Sequence, residues 1–552
     1  MIRLFEQHYI RNTKELDGMW DFYPEGENTS YKMPVPGCWE QHPDFYAYRG
    51  KGTYIKKIYI DEPCTLRLEF KGVSHTADVY FDGAPIAHHY NAFTPFSTTV
   101  KKVEKGEHEI KVFVDNSFGE HSALHTPNDY YTYGGITRPV SVERIAETFI
   151  KNIRFTPYLE DGIWNGSLEV SIQNVSNKAQ TVELKSSLDE YEMSISNIEI
   201  PGESEVKVSL KQQFPDVMPW SHENPKLYYI NTILYLNNKP VDDLIDRVGF
   251  RTVKVEGTKI QVNGENVFLK GFNRHEDYAV VGCAIPLQLM VQDMDLMQDM
   301  GVNALRTCHY PNDERFLDLC DERGILVWEE NHARGLVLEK MQNPNFDKQC
   351  EDCIREMIEN HYNHPCIIIW GILNECASET VEGRAKYKMQ YDQIKSMDTT
   401  RPTTSATCRH FTDICLDLPD IVSFNMYSGW YKDVPIQERN IEEIEWIKKS
   451  GGEGKPIIVS EFGAAAIYGY RDRSRCKWSE ERQADIIEES LDVYMNDENV
   501  TGVFIWQFAD CRVTEEGEWF ATRARCHNNK GVVDEYRRPK IAYDIIKEKF
   551  RA

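Results

Sequence analysis

Two glutamates stand just past apolar runs where a buried strand gains nothing from a carboxylate. One closes Ile367-Ile368-Ile369-Trp370-Gly371-Ile372-Leu373-Asn374-Glu375, the other Pro456-Ile457-Ile458-Val459-Ser460-Glu461-Phe462-Gly463. Each run reads as a strand buried on both faces, as in a parallel sheet. Two carboxylates raised to the rim of one parallel barrel can flank a bond to be cut. In glycoside hydrolysis one such group protonates the leaving oxygen and the other attacks the sugar carbon. Taken singly, either glutamate could equally be a buried ion-pair partner or a helix cap.

The elements that must position them follow from the patterning of the 552 residues. Residues 1–148 alternate apolar and polar positions in short runs such as GTYIKKIYI, CTLRLEFKG and HEIKVFVDN, and Asp82-Gly83 marks a hairpin turn. That pattern predicts a jelly-roll sandwich. Residues 149–252 repeat it in runs that include AQTVELKSSL, KLYYINTILYL and DRVGFRTVKV, the length and strand count of an immunoglobulin-like sandwich. From 253 to 552 strands alternate with amphipathic helices, and eight strand candidates can be placed: VFLKGFNRH, ALRTCHY, ILVWEEN, IIIWGILNE, PTTSATC, IVSFNMY, PIIVSEFG and VFIWQFAD. Eight such units specify a (β/α)8 TIM barrel, whose strand ends share one catalytic face. The fold class is therefore multi-domain β and α/β, with the glutamates on strands four and seven.

Composition sets outer limits. The net charge of −25 and pI near 5.2 argue against nucleic acid or an anionic membrane as partner. Aromatic residues make up 12% of the chain, which suits sugar stacking and sandwich cores equally. The N-terminal stretch lacks a signal-like apolar core and no run could span a bilayer, so a cytoplasmic protein is expected. The 14 cysteines are scattered through apparent strands and helices, as for reduced, buried thiols. Cys350 and Cys353 form a lone CxxC with no second ligand pair, so no metal site is expected.

With these residues assembled, the chain resembles glycoside hydrolase family 2, and within it the β-glucuronidases. The strings that carry the resemblance are GFNRHED (Gly271–Asp277), ALRTCHYP, WGILNE, NMYSGWY (Asn425–Tyr431), SEFG and WQFAD, in order and at compatible spacing. The resemblance implies that Glu375 is the acid/base and Glu461 the nucleophile, and that Asn374 bonds the sugar 2-hydroxyl. Retention of anomeric configuration is then expected, with repulsion from Glu461 and burial raising the pKa of the acid. The chemistry needs no metal and no cofactor.

The resemblance also bears on the sugar. Asn528 and Lys530, in CHNNKG after strand eight, look like the Asn-x-Lys pair with which β-glucuronidases hold the C6 carboxylate. An ammonium and an amide supply one charge-assisted clamp. Asp129 of the first domain matches a position reaching the distal hydroxyls. Asn425, Tyr427, Tyr431 and Trp506 match the pocket, as does His309, which could as well be structural. Arg334, in WEENHARG, departs from the small apolar residues of typical glucuronidases. It could touch the sugar, where it would favour an axial C4 hydroxyl, or simply pair with Glu330. Glucuronide is expected over galacturonide, with dual activity and a β-galactosidase as alternatives. Only YAVVGCAIP separates HED from the next helix, leaving a pocket mouth that is open or covered by another subunit. The expected partners are thus a β-hexuronide conjugate or oligosaccharide and further copies of the chain in a homo-oligomer.

Overall fold

The strands that carry the two glutamates are completely buried. Ile367–Gly371 and Ile457–Phe462 have no exposed position on either face, as parallel strands under a layer of helices must. In the computed structural model, which describes residues 2–27, 29–516 and 518–552, they belong to one parallel barrel. Its strands are β1 (Leu269–Asn273), β2 (Ala304–Thr307), β3 (Leu326–Glu330), β4 (Ile367–Gly371), β5, β6 (Val422–Asn425), β7 (Ile457–Phe462) and β8 (Val500–Ile505). The fifth strand is in two pieces, Thr403–Thr404 and Ala406–Thr407. The first pairs with β4 and the second with β6, while β1 pairs with β8, so the sheet runs round the barrel. Ser405 interrupts the ladder between the two pieces. A continuous apolar core fills the barrel and the space beneath its helices.

Two antiparallel sandwiches precede it. The first packs a four-stranded sheet on a six-stranded one, with alternation typified by Thr76–Phe81, whose even positions face out and odd positions in. Asp82 and Gly83 both take positive φ, 49° and 79°, the backbone a two-residue hairpin turn requires. The second packs three strands on four. Here the structure departs from the sequence reading. DRVGFRTVKV is not one strand: Lys239–Val248 ends the sandwich, and Val253–Glu256 opens a small three-stranded sheet. Gly249 makes the break, because a Cβ there would meet Trp220 and Pro365 at 2.8–2.9 Å. Tyr191–Ile200, an edge strand with half of its positions exposed, gives no clear alternation to read.

The first sandwich is clamped onto the barrel's rim. Phe93 stacks on Tyr310 with centroids 3.8 Å apart, and Arg138 Nη2 donates to Glu276 Oε2 at 2.7 Å. Tyr130 Oη lies 3.0 Å from His332 Nε2. These contacts bring the segment that carries Asn128 and Asp129 over the ends of the barrel strands.

Candidate active site

Glu375 lies four residues beyond β4 in a left-handed conformation, φ +54°, its N–H held by the carbonyl of Ala406 at 2.9 Å. A residue with a side chain adopts that region only where its surroundings fix it, and such strain gathers at functional sites. Glu461 lies inside β7. Both line a cleft of about 320 Å3 at the strand ends, together with Asp129, Arg334, Tyr431 and Lys530. Asn425, Tyr427 and Trp506 share its wall, whereas Asn374, His309 and Asn528 are fully buried behind it.

The organising group is Arg306 of β2, which in the sequence stands unremarked inside the ALRTCHYP string. Fully buried, it donates to both Glu330 oxygens at 2.9 Å, to Glu461 Oε1 at 2.9 Å, to Asn374 Oδ1 at 2.8 Å and to Asn273 Oδ1 at 3.0 Å. One guanidinium thus fixes side chains from strands β1, β3 and β7 and the segment beyond β4. Five donors in a rigid fork make arginine suited to this, where a lysine would not be. The other Glu461 oxygen accepts from the Tyr427 hydroxyl at 2.7 Å. Burial and the neighbouring Glu375 charge push the Glu461 carboxyl up to about 7, against the pull of Arg306 and Tyr427. Glu375, for its part, faces a cation.

That cation is Arg334. Its Nη2 is 3.3 Å from Glu375 Oε2, and its Nη1 donates to Asn128 Oδ1 of the first sandwich at 3.1 Å. The alternative pairing with Glu330 is therefore corrected, since both Glu330 oxygens are taken by Arg306. Asn425 Nδ2 donates to the other Glu375 oxygen at 2.9 Å and to Asn374 Oδ1 at 3.2 Å. Asn374 Nδ2 is left buried without a partner among the described residues, a donor free for an incoming hydroxyl. His309 is held by Nδ1 against Glu330 at 2.8 Å and stacks on Trp506, with centroids 5.1 Å apart. Its Nε2 is unpartnered and 4.0 Å from Glu461 Oε1. Burial, followed by Arg306, drives its pKa well below the ordinary histidine value, so the ring is neutral.

At the other end of the cleft, Lys530 sits with its ammonium 5.7 and 5.1 Å from the ring centroids of Tyr427 and Tyr431. It is buried, and no carboxylate among the described residues comes within 4.0 Å of it. Asn528 Nδ2 donates to Asp129 Oδ2 at 3.0 Å. Asp129 is further gripped by Arg523, at 2.6 and 2.5 Å, a residue the sequence analysis did not single out. Burial would raise the Asp129 carboxyl, but Arg523, Lys530 and Arg334 hold it below its ordinary range. Arg523 also reaches the Tyr431 hydroxyl at 3.3 Å. No local pattern marks Arg523, because its partner lies 394 positions away.

Among the described residues, two groupings of His, Cys and acidic side chains are close enough to hold an ion: His275, Cys308 and His309, and Asp321, His364 and Cys366. Cys350 and Cys353 belong to neither. In the first grouping, beside the cleft, burial pushes the Cys308 thiol far above its usual range. In the second, His364 Nδ1 is already engaged by Asp321 at 2.5 Å.

The arrangement can bind a polyhydroxylated, anionic ligand between a cationic end and two carboxylates. Comparison with known proteins agrees with it. Residues 253–552 match the model of the glycosyl hydrolases family 2 TIM barrel domain, and residues 148–251 a second glycosyl hydrolases family 2 model. A β-galacturonidase of that family from Eisenbergiella tayi, solved with galacturonate bound, is 49% identical and superposes with a TM-score of 0.97, over all of this chain and 99% of that one. The β-glucuronidase of Streptococcus agalactiae is 27% identical over 98% of this chain and 95% of its own length. The β-glucuronidase structure from Dictyoglomus thermophilum is 26% identical with a TM-score of 0.86, over 100% of this chain and 98% of that one.

Proposed function

The chain belongs to glycosyl hydrolase family 2, and from that premise we propose that it is an exo-acting, retaining β-hexuronidase that releases a terminal β-D-hexuronic acid. The observation that carries the reading is the buried Lys530 ammonium, which stands in the same cleft as Glu375 and Glu461 with no carboxylate within 4.0 Å among the described residues. A protein of net charge −25 has no general attraction for an acidic sugar, so a buried local cation is what a sugar carboxylate requires. A neutral hexose would offer that cation no carboxylate to contact.

In this reading Glu461 attacks the anomeric carbon as a carboxylate while Glu375 protonates the leaving oxygen. Glu375 then takes a proton from the water that releases the sugar from Glu461. Tyr427 and Arg306 orient the nucleophile, and Asn374 holds the sugar 2-hydroxyl. Lys530 and Asn528 clamp the C6 carboxylate. Asp129, delivered by the first sandwich and fixed by Arg523, receives the distal hydroxyls.

The sequence alone favours glucuronide, whereas the site geometry and the relatives together favour galacturonide. Arg334 stands in the cleft between Glu375 and Asn128, where it can donate to a sugar hydroxyl. The 49% identical relative is named a β-galacturonidase, whereas the named β-glucuronidases above are 26–27% identical. A homo-oligomer in the cytoplasm remains part of the proposal. Turnover of aryl β-galacturonide, β-glucuronide and β-galactoside side by side tests it. Galacturonide should be cleaved fastest and galactoside barely at all, and a galactoside optimum would overturn the hexuronide assignment.

A further inference from the structure

The first sandwich carries a second hollow that the catalytic chemistry does not use. It is a groove of about 590 Å3 on the outer face of the six-stranded sheet, and it shares no lining residue with the cleft at the barrel rim. Four neighbouring strands form its floor: Gly18–Pro24, Lys51–Ile60, Gly106–Asp115 and Thr76–Phe81. Registration puts Tyr23 opposite Thr53, Thr53 opposite Phe113 and Phe113 opposite Asp78, in one row across the sheet. The next rung carries Lys51, Asp115 and Thr76.

The row has an unusual composition for an outward face. Strand alternation sends Tyr54, Val112, Val114 and Val79 into the sandwich core, so the outward positions are free to be polar. Tyr23, Tyr80 and Phe113 nevertheless occupy three of them, and Phe113 is 42% exposed. Tyr80 and Phe113 meet edge to face, with centroids 5.3 Å apart. Tyr23 stands two strands from Phe113, which separates the two aromatic walls by roughly 10 Å. Thr53 lies between them, and the Tyr23, Tyr80 and Thr53 hydroxyls have no protein partner among the described residues.

Acceptors rim the walls. Asp78 gives one oxygen to His88 at 2.7 Å, and Asp115 gives one to the Ser117 N–H and hydroxyl at 2.8 and 2.6 Å. The second oxygen of Asp78 carries no hydrogen bond among the described residues, and that of Asp115 has only His121 Nε2 near it, at 3.7 Å. With Glu25 and Glu27 the described residues that line the groove present four carboxylates against the single lysine Lys51. That balance repels an anion, including another copy of a chain of net charge −25. It accepts hydroxyl donors, and the aromatic walls suit the C–H faces of sugar rings.

We propose that this groove is a non-catalytic binding site for a neutral oligosaccharide, held between the Tyr23 wall and the Phe113–Tyr80 wall. The volume is that of a ligand site. The groove is chemically the opposite of the catalytic cleft, whose sugar end is cationic. One chain can therefore hold a neutral glycan at one place and remove an acidic terminal sugar at another.

Isothermal titration of the full-length protein with cellohexaose, xylohexaose and mannohexaose, and with trigalacturonic acid as the acidic comparison, tests this. At least one neutral hexaose should bind. Phe113→Ala and Tyr23→Ala should each weaken that binding roughly tenfold, the loss expected of one stacked ring. Turnover of aryl β-hexuronide by both variants should stay unchanged, which shows that they are folded and separates this proposal from the catalytic one. The proposal is overturned if no neutral hexaose binds, or if binding survives both substitutions. Binding of the acidic oligomer alone would overturn it too, as would a fall in sedimentation mass in Phe113→Ala, which would make the groove a contact between copies.

Discussion

Arg334 Nη2 lies 3.3 Å from Glu375 Oε2, so the carboxyl proposed as proton donor faces a guanidinium. A group cannot serve as the carboxylate of an ion pair and carry the proton for a leaving oxygen at once. In the proposed mechanism the step at the leaving group requires Arg334 to find another partner, and a sugar hydroxyl would supply one. Asn128, bonded to Arg334 Nη1 at 3.1 Å, fixes where that hydroxyl must be. On that proposal, selectivity and proton transfer would be joined in one side chain.

Arg334→Ala should lower kcat/KM for aryl β-galacturonide by roughly 10–100-fold, the range for a hydrogen bond to a charged group. The loss on the glucuronide should be smaller. Parallel kinetics on the two substrates give the comparison, and equal losses on both would remove the selective role assigned to Arg334.

The roles of the two glutamates separate under azide. Glu375→Ala should lose about 10²–10⁴-fold on a poor leaving group, less on an activated aryl one, and azide should return a β-hexuronosyl azide. Glu461→Gly should be inactive alone, and azide should return the α-azide, because azide then attacks from the nucleophile's face. Product anomers read by NMR decide the matter, and the reverse pattern would exchange the assignments.

Much of this was legible in the sequence, and the divide follows contact distance along the chain. The eight barrel strands, the hairpin at Asp82-Gly83 and the strings holding Glu375 and Glu461 announce themselves locally, through alternation, apolar runs and turn chemistry. Arg523 does not, because what defines it is Asp129 in another domain. Arg306 sat in plain view within ALRTCHYP, yet nothing in a linear string says that five side-chain oxygens converge on it. The break after Val248 was hidden because Gly249 is dictated by Trp220 and Pro365 pressing on its backbone, not by its neighbours.

Burial and Glu375 raise Glu461 to about 7, well above an ordinary glutamate. The nucleophile must be ionised, so kcat/KM should fall as pH drops through about 7, approaching tenfold per pH unit below it. An ordinary glutamate would hold activity down to about pH 4.3. Tyr427→Phe removes the hydroxyl that stabilises the carboxylate at 2.7 Å, and should move this acidic limb to higher pH. A pH profile of kcat/KM on an aryl β-hexuronide reads both.

Lys530→Ala should cost hexuronide turnover about 10–150-fold in kcat/KM, corresponding to about 1.5–3 kcal/mol for a charge-assisted contact. The methyl ester of the same hexuronide has no carboxylate to clamp. It should be a poor substrate of the parent and lose little further in the variant. If acid and ester fell together, Lys530 would be holding the cleft's shape and not the C6 carboxylate.

Glu40 offers a test of the scaffold that leaves the cleft untouched. It lies buried in the first sandwich, accepts the Gly134 N–H at 3.0 and 3.1 Å, and is pushed up to about 8 by burial. A carboxyl whose folded pKa exceeds its unfolded value near 4.3 stabilises the fold while protonated. Between those pH values the unfolded chain binds fewer protons than the folded one, so this contribution is lost as pH rises from about 4.3 to about 8. Glu40→Gln keeps an acceptor for Gly134 and removes the ionisation. The variant should therefore gain on the parent as pH rises from 5 to 9, by an amount on the order of 4 kcal/mol. Above about pH 8 the gain should level off. Thermal or urea unfolding of both proteins across that range measures the difference, and the other raised carboxyls, Glu330 and Asp510 among them, cancel because both proteins carry them. A difference constant from pH 5 to 9 would mean that Glu40 ionises in the folded protein at an ordinary pH, with Arg49 and Arg512 able to supply its counter-charge.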